Sequence, residues 1–379
     1  MLNTALGGLA LGLPALAGCG PASPTSAAGP PAKAGAKPDL TYRKLPRWRG
    51  FNLQEKFQDQ PDDLSKVAPE WSFYNEPFKE ADFRMIAGFG FDFVRLPMSY
   101  KCWIKNGNWR EFDEARLREI DQAVAWGRQY KLHVCLNFHR APGFCINPPV
   151  EPLSLWTDRE AQQVCALHWG TFAKRYQGIP NSELSFDLLN EPYNPTDAQY
   201  ENVVKILTTA IYAADPNRLV IADGNGAGYN PVPALAAYRV AQSNRGYVPK
   251  EVTHFRAAWV EEEIRSITKL PEWPFHSPSG EVWDRARLRE MYRPWQQLAA
   301  AGTGVMMGEY GVYNRTPHAV ALGFVEDLLA VLKENDWGWS MWCFRGSMGI
   351  LDSGRRDVAY ENYQGHQLDR QMLTILQKS

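Results

Sequence analysis

Two glutamates in this 379-residue chain sit in contexts suited to proton transfer and nucleophilic attack. Glu191 follows an Asn and precedes a Pro in LLNEP, and Glu309 lies in MMGEYG, where flanking glycines leave room for a close approach. Carboxyls from two separate segments can divide labour: one keeps a proton for a leaving oxygen, while the other is ionised and attacks carbon. Cleavage of an acetal bond between two sugars requires that division. Other residues suit the same task. Arg95 in FVRLP would set a cation beside Glu309, and Asn190 would offer a hydrogen bond next to Glu191. His139 in LNFH and His254 in VTHF supply further polar partners, and Trp342 in WSMWCF supplies a flat apolar platform.

Positioning such residues together requires elements whose ends converge. Eight short β-rich runs fall at 49–53, 91–97, 132–139, 184–192, 218–223, 251–255, 304–311 and 337–344. Without a clean polar alternation, they suit strands buried on both faces of a parallel sheet. Between them lie amphipathic stretches, with helices predicted at 112–130, 160–176, 199–213 and 318–334, the first capped by Asp113. Eight strand–helix units in about 300 residues favour an α/β fold closed as a single (β/α)8 TIM barrel. An open doubly wound sheet would want a glycine-rich turn after its first strand, and that turn here reads LQEKF. In a barrel the catalytic groups stand at the C-terminal strand ends, where Arg95, His139, Asn190, Glu191, His254, Glu309 and Trp342 all fall. The stretch 256–287 reads as a long loop after the sixth strand.

Composition narrows the ligand. A net charge of −1 gives no reason to expect a nucleic-acid partner. The chain holds 14 Trp, 16 Tyr and 17 Phe, and aromatic faces stack on sugar rings as well as filling cores. Trp103, Trp109, Trp156, Trp259 and Trp273 lie in loop-like stretches where they could line successive sugar units. With no HxH pair, CxxC pair or His/Cys cluster, neither a metal nor another cofactor is expected. A catalytically silent carbohydrate-binding protein on the same fold is the rival reading, and a metal-dependent hydrolase a more distant one.

The motifs RGFNL, FVRLP, LNFHRAPG, LLNEP, VTHF, GEYG and WSMWCF occur in this order over residues 48–344. In that set the chain resembles glycoside hydrolase family 5, the cellulase family. The resemblance implies Glu191 as acid/base, Glu309 as nucleophile and retention at the anomeric carbon. It also implies that Asn190 binds the sugar 2-hydroxyl, with Arg95, His139, His254 and Trp342 completing the shell. One position departs from the family pattern: a Tyr usually stands two residues after the sixth-strand His, and Arg256 stands there instead. Either Arg256 takes over that role, or a phenol such as Tyr310 or Tyr313 supplies the missing donor. The implied substrate is a β-linked glucan polysaccharide or oligosaccharide, cut as by a β-1,4-glucanase. An exo-acting β-glucosidase or β-1,3-glucanase and a β-mannanase are the alternatives. Arg345 and Asp352 read as a polar pair near the eighth strand.

The N-terminus reads differently. Residues 2–17 carry no charge and lead into Leu16-Ala17-Gly18-Cys19, as in a lipoprotein signal cleaved before a lipidated Cys. No Lys or Arg precedes the apolar run, so a basic stretch is expected upstream of Met1. Residues 20–41, rich in Pro, Ala and Gly, read as a flexible tether, and 42–379 as the catalytic domain. Export to the periplasm or cell surface follows, with the membrane touched only through a lipid on Cys19, and the enzyme expected as a monomer. Cys135 and Cys343 read as buried thiols, while Cys102 and Cys145 lie where a pair could form.

Overall fold

The computed structural model describes residues 40–59 and 75–379. The signal segment, Cys19 and nearly all of the tether lie outside the described residues.

Eight parallel strands close into a barrel. They are β1 (Arg49–Asn52), β2 (Phe93–Ser99), β3 (His133–Arg140), β4 (Leu184–Asp187), β5 (Val220–Asp223), β6 (Val240–Gly246), β7 (Val305–Tyr310) and β8 (Gly338–Met341). Each strand pairs with its chain neighbour, and β8 closes on β1 through Gly50 opposite Ser340. Seven of the expected strands are present, each with ends shifted by a few residues. The sixth is not where its apolar pattern put it. Residues 251–255 fall in a short helix, Lys250–Thr253, and its cap, while the sixth strand runs VAQSNRG. That strand reads as a loop because its inward face is polar: Ser243 and Arg245 point into the barrel, joined by a hydrogen bond of 3.2 Å.

The helices at Glu114–Tyr130, Arg159–Arg175, Asp197–Ala214 and His318–Glu334 match the amphipathic stretches. Asp113 caps the first by accepting from Ala115 N–H at 2.9 Å and Arg116 N–H at 3.4 Å. Their apolar faces pack onto the outside of the barrel, where Trp169 stacks on Phe138 with centroids 3.9 Å apart. Burial of each large side chain there contributes about 1.5–3 kcal/mol. The N-terminal end of the barrel is plugged by a separate apolar cluster of Leu45, Trp48, Phe93, Cys135, Leu219, Ile221, Ala241 and Met306. Trp48 stacks on the buried His133 ring at 3.8 Å. The 256–287 segment holds the helix Glu262–Arg265 and a small hairpin, Phe275–His276 with Val282–Trp283. All five cysteines among the described residues are free thiols, so Cys102 and Cys145 do not pair.

Gly50 sets how closely β1 approaches β2. A Cβ there would overlap the carbonyl of Phe93, its partner in register. Gly50→Ala should therefore destabilise the barrel by about 3 kcal/mol, read as a lower urea midpoint at unchanged slope.

Candidate active site

The polar strand ends converge on a buried cluster built around two guanidiniums. Arg95, on β2 and 1% exposed, donates from Nη1 to Glu309 Oε1 at 2.5 Å, from Nε to Asp187 Oδ2 at 2.8 Å and from Nη2 to Asn190 Oδ1 at 2.9 Å. It also reaches Asn52 Oδ1 on β1 at 3.0 Å. Arg245, on β6 and 0% exposed, donates from Nε to Glu191 Oε1 at 2.9 Å and from Nη2 to Asn190 Oδ1 at 2.9 Å and Glu309 Oε1 at 3.3 Å. Both its Nη groups also bond the carboxylate of Asp223 at the end of β5. Strand register places these groups side by side, with Glu309 opposite Arg245 and Asn52 opposite Arg95.

Burial works against charge on either guanidinium, but the surrounding carboxylates more than offset it, and both are held above the ordinary arginine range. Glu191 moves the other way. Desolvation, then the charge of Glu309, pushes it up to about 7, with Arg245 opposing. Asp187 is pushed up to about 7 by desolvation and Asp223, with Arg95 opposing. A carboxyl pushed up on Glu191 beside a Glu309 contacted by two guanidiniums gives the two groups different environments, the kind of separation that a general acid and a nucleophile require.

Asn190 and Glu191 lie in the loop that follows β4. Asn190 N–H donates to Phe138 O at 3.1 Å, and Glu191 N–H to Asp223 Oδ2 at 2.8 Å. The second bond holds Glu191 at φ 51°, a left-handed conformation that costs a non-glycine residue about 1–3 kcal/mol. Among the described residues, the Nδ2 group of Asn190 has no partner.

The remaining predicted residues divide. His139 is the penultimate residue of β3, with Nε2 2.7 Å from Asn147 Oδ1 and its ring 5.8 Å from Trp342, which is 5% exposed. Burial lowers His139 to about 3, so it is neutral at physiological pH. A cavity of about 330 Å³ opens beside it, lined by Phe57, Lys101, Arg140, Cys145 and Asn147 among others. His254 is not at a strand end. It caps the short helix after β6, with its ring edge against Tyr247 at 5.1 Å and Trp259 at 6.2 Å. Arg256 is excluded from the site: it is exposed, and its guanidinium donates to Ile267 O and Thr268 O, both at 2.9 Å.

The phenol is Tyr247, whose hydroxyl donates to Glu309 Oε2 at 3.1 Å. Tyr310 is wholly buried and packs edge-on to Trp339 at 5.7 Å, and Tyr313 packs against Trp259 at 4.8 Å. With the sixth strand re-registered, Arg245 takes the place of the expected His, and Tyr247 keeps the expected spacing of two. The pattern Arg-Gly-Tyr was readable; the polar strand preceding it hid it. Arg345 likewise binds Glu55 at 2.8 Å and Asp82 at 2.7 Å rather than Asp352, which pairs with His366. Of the five loop tryptophans, Trp259 is 41% exposed, Trp103 is buried against His168, and Trp109, Trp156 and Trp273 are partly buried against the core.

A closed (β/α)8 barrel with two carboxyls held at the C-terminal ends of separate strands is an arrangement that a glycoside hydrolase can use. Residues 47–347 match the family model for cellulase, glycosyl hydrolase family 5, and the chain belongs to that family. Endoglucanase C of Acetivibrio thermocellus is 26% identical over 307 residues, covering 74% of this chain and 88% of that protein. Cellodextrinase A of Ruminococcus flavefaciens is 26% identical over 62% of this chain and 69% of its own length. A crystal structure described as that of a glycoside hydrolase superposes with a TM-score of 0.79 at 35% identity, covering 88% of this chain and 99% of that one. A hyperthermophilic endo-β-1,4-glucanase in complex with substrate shares the fold with a TM-score of 0.67 at 18% identity, covering 88% and 97%. The chain is thus a cellulase-family, endoglucanase-like hydrolase.

The two candidates for Glu309's neighbour separate by mutation. Tyr247→Phe removes a hydrogen bond to a carboxylate and should lower kcat/KM on an aryl β-glycoside by about tenfold or more. Arg256→Ala should leave it within about threefold. The reverse ranking would return the role to Arg256.

Proposed function

We propose that the enzyme is a retaining β-glucanase in which Glu191 protonates the leaving oxygen and Glu309 attacks the anomeric carbon. The observation that carries this reading is the single Arg245 guanidinium that donates to both carboxyls, at 2.9 Å to Glu191 and 3.3 Å to Glu309, and so gathers them at one site. Retaining enzymes need about 5–5.5 Å between the two groups, whereas inverting ones leave room for a water at about 6.5–9.5 Å. Glu191 gives up its proton as the glycosidic bond breaks, and Glu309 forms the glycosyl ester. Glu191 then takes a proton from the water that hydrolyses the ester.

Around the reacting carbon, the unspent Nδ2 of Asn190 suits a sugar 2-hydroxyl. His139 donates through Nε2 if Asn147 presents Oδ1, which leaves Nδ1 as an acceptor for a substrate hydroxyl. Trp342 serves as the platform, and the cavity beside His139 extends the site toward a neighbouring sugar. A β-1,4-linked glucan is the reading favoured by the endoglucanase relatives. Similarity to a probable glucan 1,3-β-glucosidase of Emericella nidulans, 28% identical over 35% of this chain, keeps the β-1,3 linkage on the test panel.

Glu191→Gln and Glu309→Gln should each lower kcat by about 10³-fold or more on cellodextrins, and proton NMR of the first-formed product should show the β-anomer. Full activity in either variant, or α-anomer formed first, overturns the assignment. Because Glu191 must be protonated to act and is pushed up to about 7, kcat/KM should fall as pH rises through that value.

Export with a lipid on Cys19 is proposed from the apolar run ending Leu16-Ala17-Gly18-Cys19. Cys19→Ser should then move the protein from the membrane to the soluble fraction; an unchanged distribution would overturn the anchor.

A further inference from the structure

We propose that Asp223 and Arg245 act as a positioning couple that fixes Glu191 by its backbone and its carboxyl at once and ties it to Glu309. The inference rests on the catalytic reading of those two glutamates. Asp223 and Arg245 both lie outside the sequence motifs that carry the family resemblance.

The geometry is specific. Asp223 is 0% exposed, and among the described residues its carboxylate accepts from two: the Glu191 backbone N–H at 2.8 Å and both Nη groups of Arg245. Arg245 then spends Nε on the Glu191 carboxyl and Nη2 on Glu309. A structural ion pair would satisfy itself. This one closes a ring from Glu191's backbone through Asp223 and Arg245 back to Glu191's own side chain, with a branch to Glu309. The ring holds a residue at φ 51°, so loss of either member frees the loop to relax.

The chain is also shaped to admit the guanidinium. A Cβ on Gly228, at φ 81°, would stand 2.6 Å from Arg245 Cγ. One on Gly308 would stand 2.9 Å from Arg245 Nη1 and would overlap Ser243 Oγ. Gly308, expected to make room for substrate next to Glu309, makes room for Arg245 instead.

The couple also balances charge around Glu191. The ionisable groups facing Glu191 are Glu309 from β7, Arg245 from β6 and Asp223 from β5, with the phenols of Tyr229 and Tyr247 nearby. Of these charged groups, Arg245 favours the ionised carboxyl of Glu191, while Glu309 and Asp223 favour the protonated one. The two members of the couple therefore act on the acid in opposite senses.

The test compares pH profiles of kcat/KM on an aryl β-cellobioside for wild type, Arg245→Gln, Arg245→Lys and Asp223→Asn, with thermal unfolding confirming that each variant is folded. Arg245→Gln should shift the basic limb up by about one unit or more, and Asp223→Asn should shift it down. Both should lower kcat by about 10²-fold, with KM changed by less than about threefold. Arg245→Lys keeps the charge without the planar fork, so its limb should stay within about half a unit of wild type while kcat remains low. Shifts of the same sign, an unmoved limb, or wild-type kcat in folded Arg245→Gln would overturn the couple. Full activity in Glu191→Gln would instead remove the catalytic reading, and the couple with it.

Discussion

The site depends on an imbalance: two guanidiniums, Arg95 and Arg245, face four carboxyls, Asp187, Glu191, Asp223 and Glu309, in a space from which water is nearly excluded. Two cations can neutralise two anions. Burying the remaining negative charge would cost several kcal/mol per ion, so protons are the cheaper counter-charge. Glu191 and Asp187, both pushed up to about 7, are the carboxyls of the cluster that burial and neighbouring charge drive toward the protonated form. An acid that works near neutral pH thus follows from charge bookkeeping in a closed space, before any substrate enters.

Such a cluster can exist only if the barrel closes in the right register. Its members come from β2, β4, β5, β6, β7 and the loop after β4, so each pair is joined across a strand boundary. Side chains alternate along each strand, and a slip of one residue would turn Arg95 or Glu309 away from the lumen. The opposite end of the barrel supplies what holds that register. There Leu45, Trp48, Phe93, Leu219 and Met306 fill the lumen with apolar side chains and no charge. Stability is concentrated at one end of the barrel and chemistry at the other, the usual division for this fold.

Most of this was legible in the sequence because the signals were local. LLNEP and MMGEYG carry their glutamates with their strands, and Arg95 sits inside an apolar run that could only be buried. The sixth strand failed for a physical reason. Its inward positions hold Ser243 and Arg245, so the apolar pattern that marks a buried strand is missing where the strand serves the site most. EVTHF carried β-branched and aromatic residues and drew the assignment ten residues too far along. One shift of register explains three errors at once: His254 placed at a strand end, Arg256 placed beside Glu309, and Arg245 with Tyr247 overlooked. For Trp103, Trp156 and Trp273 the sequence left packing and sugar stacking both open, since an indole in a loop-like stretch carries no local mark of whether it faces solvent or core; all three pack.

An arginine at position 245 also changes how the site responds to pH. A histidine there would titrate near neutrality, adding its own limb to any profile. The imidazoles in and beside this site are held neutral: burial lowers His139 to about 3 and His254 to about 4. The positive charge of the cluster resides in guanidiniums whose protons are held more tightly than usual. Across the range in which a glycosidase works, the cations of the site are therefore constant and only carboxyls exchange protons. Which carboxyl keeps a proton is then set by geometry, through which carboxyl each fixed cation touches, and the fork of Arg245 touches both Glu191 and Glu309 while its other arm is held by Asp223.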